Sequence, residues 1–319
     1  MSKILFVYSV NMVLPPPFLE RQMLSLIKNK MDIDKFEIKG KGVIGYLSNI
    51  FKLRKKVNNN NYDIIHAHYS LSALIVILSF INKPLVTSFM GSDLVGTFNK
   101  KGTKKVSSFI NYFISKFVQI FTDKIIVKSE NLAEFIFLKQ KMRIIPNGIN
   151  FDIFKPLSKK KIRSKLNLEL NKNYILFIGD KNNYRKNFSL LSKCLKDLEE
   201  NNIYLIDINY PITTDEVILY LNATDVLVLT SFFEGSPNII KEALACNCRV
   251  VSVDVGDVKQ HISNIEGCYI SKYDKSDLCN KIKSSINYDK NFNSRKKISY
   301  LDSDKISNEI IKIYNSLKN

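Results

Sequence analysis

Short apolar runs of β type punctuate the chain at ILFVY (4–8), FEI (36–38), IIHAH (64–68), PLVTS (84–88), KIIVK (124–128) and RIIP (143–146), with helical stretches between them. A second series follows Pro156: YILFIG (174–179), IYLID (203–207), DVLVLT (225–230) and RVVSVD (249–254). Near-continuous apolar strands alternating with helices argue for parallel sheets covered on both faces. The chain therefore reads as two α/β units in tandem, which suits its 319 residues. Pro146, Asn147 and Gly148 make a turn between the two series, and Pro156 closes the segment. The organisation expected is a first Rossmann-like domain over 1–148, a linker over 149–156 and a second Rossmann-like domain over 157–300. A terminal helix over 301–319 packs back on the first domain.

Two apolar helical stretches bear on membranes. LSALIVILSFI (71–81) is too short to span a bilayer and reads as a buried helix. In VSSFINYFISKFVQIF (106–121), Phe109, Tyr112, Phe113 and Phe117 recur at helical spacing. The expectation is a helix facing the core, preceded by a basic loop (Lys101, Lys104, Lys105) that touches lipid; an amphipathic membrane helix is the alternative. The first residues, MSKILFVYSVN, lack the features of a signal peptide.

Charge changes this picture more than composition does. The chain carries a net +18, unevenly placed: residues 1–150 hold 22 Lys/Arg against 9 Asp/Glu, a net +13, and residues 151–319 hold 26 against 21, a net +5. The first half is thus built to meet an anionic surface, a membrane or a nucleic acid. The five cysteines (Cys194, Cys246, Cys248, Cys268, Cys279) are odd in number and irregularly spaced, which fits neither a disulfide framework nor a zinc site. They suit a reducing cytoplasm, and Cys246 and Cys248 read as small hydrophobes near a helix end. Gly40-Lys41-Gly42-Val43-Ile44-Gly45 matches a dinucleotide fingerprint. It follows the second strand instead of the first, and Asp63 stands before a strand instead of ending one, so a nicotinamide site is not expected.

The chemistry gathers in FFEGSPNIIKEALACNCRVV (232–251). Ser236 is a favoured N-cap and Pro237 a favoured first helical residue, so a helix is expected to begin at Pro237. Its unpaired amides, at the C-terminal edge of a parallel sheet, would make an anion site. Asn238 and Glu242 share a face, and Glu234 approaches from the loop. Neither glutamate occupies the capping-box position, which is Ile239, so capping does not account for them. Arg185 and Lys186, in the loop after YILFIG, stand at the same sheet edge and can neutralise a diphosphate. Phosphates beside hydroxyls describe a nucleotide sugar.

The Glu234-x7-Glu242 spacing within FFEGSPNIIKEALACNCRVVSVDVGD resembles the signature of the family-four retaining glycosyltransferases. YDIIHAHY (62–69), PLVTSFMGSDL (84–94), IIVKSE (125–130), IIPNGINFDIFKP (144–156), LNATDVLVLTS (221–231) and EIIKIYNSL (309–317) follow in that family's order. The resemblance implies the GT-B fold, two Rossmann-like domains facing across a cleft. It implies that Glu242 holds the ribose hydroxyls, Glu234 the hydroxyls of the transferred sugar, and Arg185 and Lys186 the diphosphate. Backbone amides of Gly235, Ser236, Pro237, Asn238 and Ile239 would line the rest of the donor site, although Pro237 itself has no N–H to give.

Two departures from the family pattern stand out. Met90 precedes Gly91-Ser92-Asp93 where many members carry a histidine, so Met90, Gly91 and Asp93 become candidate cleft residues. The first loop, NMVLPPPFLER, has no glycine. His66 and His68 share one strand face, either as core histidines or, for His68, at the cleft.

The function expected is transfer of a hexose from a UDP- or GDP-sugar to a glycan or lipid-linked glycan acceptor in cell-surface polysaccharide synthesis. No metal cofactor is expected, and the enzyme would be cytoplasmic or peripheral on an anionic inner membrane face. An epimerase or a glycogen-synthase-like enzyme would share the fold. A basic nucleic-acid-binding protein would explain the charge, but no known module for that task appears and no nucleic acid partner is expected.

Overall fold

The computed structural model describes residues 2–10, 17–40, 42–96, 103 and 105–317. They fall into two compact units: the first runs to Gly148, apart from Thr103, and takes in the segment from Ser303, and the second comprises Thr103 and the stretch from Ile149 to Asp302. The first unit carries β1 (Lys3–Ser9), β2 (Asp32–Ile38), β3 (Ile64–His68), β4 (Leu85–Ser88), β5 (Lys124–Val127) and β6 (Met142–Ile144), paired in parallel in the order β2-β1-β3-β4-β5-β6. The second carries β7 (Asn173–Ile178), β8 (Ile203–Ile208), β9 (Val226–Leu229), β10 (Arg249–Val253) and β11 (Tyr269–Ser271), also parallel, in the order β11-β10-β9-β7-β8. Every residue of β3, β4 and β9 is buried, as expected for strands covered on both faces. β11 is an edge strand of three residues, only one of them buried, too short and too weakly apolar to stand out in the sequence.

The C-terminal helix Ser303–Asn315 buries Ile306, Ile310, Ile313 and Tyr314, a stripe at helical spacing. That stripe packs with Leu19, Met23 and Leu26 of helix Pro17–Lys28 against Ile4 and Phe6 of β1. The end of the chain is thus part of the first unit's core.

Helix Val106–Phe121 departs from the core-facing expectation. Phe109, Tyr112, Phe113 and Phe117 point outward, 61%, 42%, 69% and 42% exposed, while Ser108, Ser115, Val118 and Gln119 are buried. The polar side chains are turned inward because the unit supplies partners for them. Ser115 Oγ donates to the Asp93 carbonyl (2.7 Å), and Gln119 Oε1 accepts the Phe137 N–H (3.0 Å). Of the three lysines placed before this helix, Lys105 is exposed at its N-cap, and Lys101 and Lys104 lie outside the described residues.

Candidate active site

In the second unit β7 lies between β8 and β9, so the chain leaves β7 toward one side of the sheet and continues from β9 toward the other. A crevice opens at the carboxyl ends of two such strands, where the order reverses. The loops that leave these two ends carry Arg185 and Lys186 after β7 and Glu234 after β9. They are tied to each other. Thr230 Oγ1 donates to the carbonyls of Lys186 (2.9 Å) and Asn187 (3.0 Å), and the Phe232 N–H donates to the Arg185 carbonyl (2.8 Å). The Asn183 side chain accepts the Arg185 N–H (3.1 Å), capping the short turn Tyr184–Lys186.

These backbone ties bring three of the expected residues into one cluster. Lys186 Nζ lies 2.8 Å from Glu234 Oε1 and Arg185 Nη1 lies 2.6 Å from Glu234 Oε2, while Ser231 Oγ donates to Oε1 (2.9 Å). Arg185 also donates to the Phe233 carbonyl (3.1 Å). The Glu234 and Lys186 side chains are each 12% exposed, so their attraction is weakly screened; Arg185, at 36%, is more solvated. Burial alone would raise the Glu234 carboxyl, but Lys186 and Arg185 outweigh it and hold the group below its ordinary value. Burial draws the Lys186 ammonium down, with Glu234 opposing. One carboxylate between two cations leaves a local charge of +1, suited to an anionic group. The same carboxylate fixes the directions of both cations.

The helix after Glu234 begins one residue later than the sequence suggests. Pro237 is the N-cap, with extended backbone, and the helix is Asn238–Ala245. Ser236 does not cap it. Its hydroxyl donates to Asp257 Oδ2 (2.6 Å) and accepts from Lys241 Nζ (2.5 Å). Lys241 is wholly buried in the helix and lies 3.4 Å from Asp257 Oδ2, and His261 Nε2 lies 3.0 Å from the same oxygen. A buried ammonium must have acceptors, and this need takes Ser236 from the helix end. Burial lowers the Lys241 ammonium against the pull of Asp257, and the Asp257 carboxyl is held below its ordinary value despite its burial. Glu242 stands next along the helix, 6% exposed, one turn after Asn238. After burial, the Glu242 and Glu234 carboxylates are the main influences pushing the Tyr210 hydroxyl upward, which puts both acids in one field.

Two glycines shape the cluster. Gly179, at the end of β7, has φ +147°, and a Cβ there would sit 3.2–3.3 Å from Lys186 Cγ, Cδ and Cε. Gly256, with φ +58°, lets its backbone approach the 234–235 turn: a Cβ would lie 2.9 Å from the Gly235 carbonyl oxygen and 3.1 Å from that of Glu234. Gly179→Ala should therefore displace the lysine. It should lower turnover by roughly 10–100-fold, the scale of a misplaced catalytic group, and destabilise the unit by about 1–3 kcal/mol of backbone strain. Steady-state kinetics and denaturant unfolding of the variant check the two effects separately.

With this geometry established, comparison with known proteins places the chain. Residues 32–153 match the model of Glycosyltransferase Family 4, and residues 160–287 match that of Glycosyl transferases group 1. The chain belongs to the family-four, group 1 glycosyltransferases. It is 26% identical over 217 residues to TuaC of Bacillus subtilis, named for teichuronic acid biosynthesis, covering 61% of this chain and 54% of TuaC. It is 25% identical over 232 residues to the Escherichia coli UDP-Gal:alpha-D-GlcNAc-diphosphoundecaprenol alpha-1,3-galactosyltransferase, covering 62% of this chain and 58% of that enzyme. The matched stretches thus span little more than half of either relative. The fold is similar to that of HepE from Anabaena, solved in complex with UDP-glucose, at TM-score 0.76 and 16% identity over 99% of this chain and all of that one. The architecture is GT-B.

The first-unit candidates of this glycosyltransferase fare unevenly. Asp93 is turned into the domain: its carboxylate accepts the N–H groups of Met90 (3.0 Å), Gly91 (2.9 Å) and Ser70 (3.1 Å). Burial raises it to about 6, against the pull of those amides. It holds the turn after β4, with Gly91 at φ +117° and Met90 half-buried. His66 is a core histidine, bonded to Tyr314 Oη (2.6 Å) and Ser88 Oγ (2.8 Å). His68 is buried too, its ring stacked 4.2 Å from that of His66, and neither nitrogen has a hydrogen-bond partner among the described residues. Most of the glycine-free loop, residues 11–16, and Lys41 of the GKGVIG motif lie outside the described residues. All five cysteines are buried thiols; Cys246 ends helix Asn238–Ala245, and Cys248 precedes β10.

Sequence reading passed over Thr230, Ser231, Lys241 and Asp257. A signal for one of them existed, since a lysine amid Ile239, Ile240, Ala243 and Leu244 requires a buried partner.

Proposed function

We propose that this glycosyltransferase moves a hexose, with retention of configuration, from a nucleoside-diphosphate sugar to a lipid-linked glycan in cell-surface polysaccharide synthesis. The observation that carries the donor reading is the Arg185–Glu234–Lys186 cluster at the strand-order switch, beside the start of helix Asn238–Ala245. The two cations would take the diphosphate, with amides of the 235–239 segment, and Glu242 the ribose hydroxyls. Glu234 would orient both cations and reach the hydroxyls of the sugar. In front-face transfer the bond from C1 to the diphosphate oxygen breaks while the acceptor hydroxyl bonds to C1 on the same side. The acceptor's proton passes to the departing phosphate oxygen. Arg185 and Lys186 stabilise the charge gathering there, so no resident metal is assigned and turnover should persist in chelator.

The acceptor reading draws on the diphosphoundecaprenol acceptor named for the E. coli relative and on the net +13 of residues 1–150, 22 Lys/Arg against 9 Asp/Glu. It places the enzyme at the cytoplasmic face. A thermal-shift panel of UDP- and GDP-sugars tests the donor, because a ligand of the folded state raises stability by about 2.7 kcal/mol at a hundredfold excess over Kd. NMR of the product's anomeric carbon tests retention. No shift with any nucleotide sugar, or an inverted product, would refute the reading.

A further inference from the structure

We propose that helix Val106–Phe121 is a lipid-docking element that lays its outer face into an anionic membrane surface. Its register is the reverse of an ordinary surface helix. Val106, Phe109, Ile110, Phe113, Phe117 and Ile120 fall within one stripe of the helix and all are exposed, while Ser108, Ser115 and Gln119 lie on the opposite side and are buried. The stripe is about 21 Å long at helical rise. Such an apolar face on water is costly unless something covers it. The helix cannot be turned over without loss, since Ser115 and Gln119 would forfeit their bonds to the Asp93 carbonyl and the Phe137 N–H.

Charge selects the occupant. The helix has no Asp or Glu, its one charged residue is Lys116, and Lys105 stands at its N-cap. Lys116 Nζ rests over the rings of Tyr112 (5.4 Å) and Phe137 (5.2 Å), at the border of the stripe. Residues 1–150 carry 22 Lys/Arg against 9 Asp/Glu. Two such units brought face to face would repel, whereas acidic lipid headgroups complement them. Aromatic and aliphatic side chains bordered by lysine are the composition of helices that lie in the membrane interface. Among the described residues no helix is long and apolar enough to cross a membrane, so the contact is one of surface docking. This deepens the lipid-linked acceptor reading, but vesicle binding is read without donor or acceptor and can fail independently of it.

The experiment uses the full chain, which contains no tryptophan. Phe113→Trp then places a lone reporter on the stripe. With phosphatidylglycerol-rich vesicles its emission should shift to the blue and be quenched by brominated acyl chains, and vesicles of phosphatidylcholine alone should bind less. Phe109→Ser/Phe113→Ser/Phe117→Ser should lower the partition coefficient at least about tenfold, since each ring carries a substantial transfer free energy. The triple variant should retain the wild-type thermal protection by a nucleotide sugar, which shows that it has folded. Absent vesicle binding, an unshifted reporter on vesicles that bind the protein, or undiminished binding by the triple variant would each overturn the assignment. So would a dimer that the triple variant abolishes, which would give the face to a second copy of the chain.

Discussion

Lys186→Ala is expected to lower turnover by roughly 10²–10³-fold, the cost of removing one preorganised donor from a centre where charge develops. The lysine is held for that task from several sides: its alkyl chain crosses Gly179, its carbonyl accepts from Thr230, and its ammonium lies 2.8 Å from Glu234. Arg185→Ala should cost less, because that side chain is 36% exposed and water can replace part of it. Glu234→Gln separates orientation from charge. It removes the one negative charge between the two cations and raises the local charge from +1 to +2, so nucleoside diphosphate should bind at least as tightly as to the wild type. Turnover should nonetheless fall, because the cations lose their fixed directions and the sugar loses a contact. Glu242→Gln should instead weaken binding of the free nucleotide. Calorimetry with UDP and GDP, set beside kcat, decides between them. Near-normal turnover of Lys186→Ala would remove the cluster from the chemistry, and equal affinity losses in the two glutamine variants would contradict the division of roles.

Lys241→Met is expected to destabilise the second unit by about 3–5 kcal/mol, the usual cost of leaving one member of a buried ion pair uncompensated. Asp257 would remain 2% exposed with its lysine gone, keeping Ser236 and His261 as neighbours. Lys241→Met/Asp257→Leu removes both charges and should recover most of the loss, since apolar replacement of a buried pair is often nearly neutral. The recovered protein should still bind nucleotide poorly. Ser236 would have lost both partners, and with them the anchor of the 235–238 segment that leads into the helix. Denaturant unfolding measures the first effect and calorimetry the second. A loss below about 1 kcal/mol for Lys241→Met would show that water or rearrangement satisfies the site, outside the range for buried pairs.

Local chemistry was enough for the architecture. Among the described residues, ten of the eleven strands are legible as apolar runs, and only the edge strand β11, three residues long, escapes. The two loops of the candidate site are legible for the same reason, since each follows a run that must be a buried strand, and the spacing of Glu234 and Glu242 follows from helix geometry. Sequence alone also separated the basic first half from the nearly balanced second.

What only tertiary structure decided are pairings between groups far apart in the chain and the choice of face for an amphipathic helix. Glu234 meets Lys186 across 48 positions because β7 and β9 are neighbours in the sheet, an adjacency that local pattern does not contain. Ser236 leaves its capping position because Asp257, in the turn after β10, and a buried lysine hold its hydroxyl more strongly than a helix amide would. Helix Val106–Phe121 has the same periodicity whichever way it is turned. Its aromatic stripe faces outward because Ser115 and Gln119, on the opposite side, are the side chains that reach and bond the Asp93 carbonyl and the Phe137 amide.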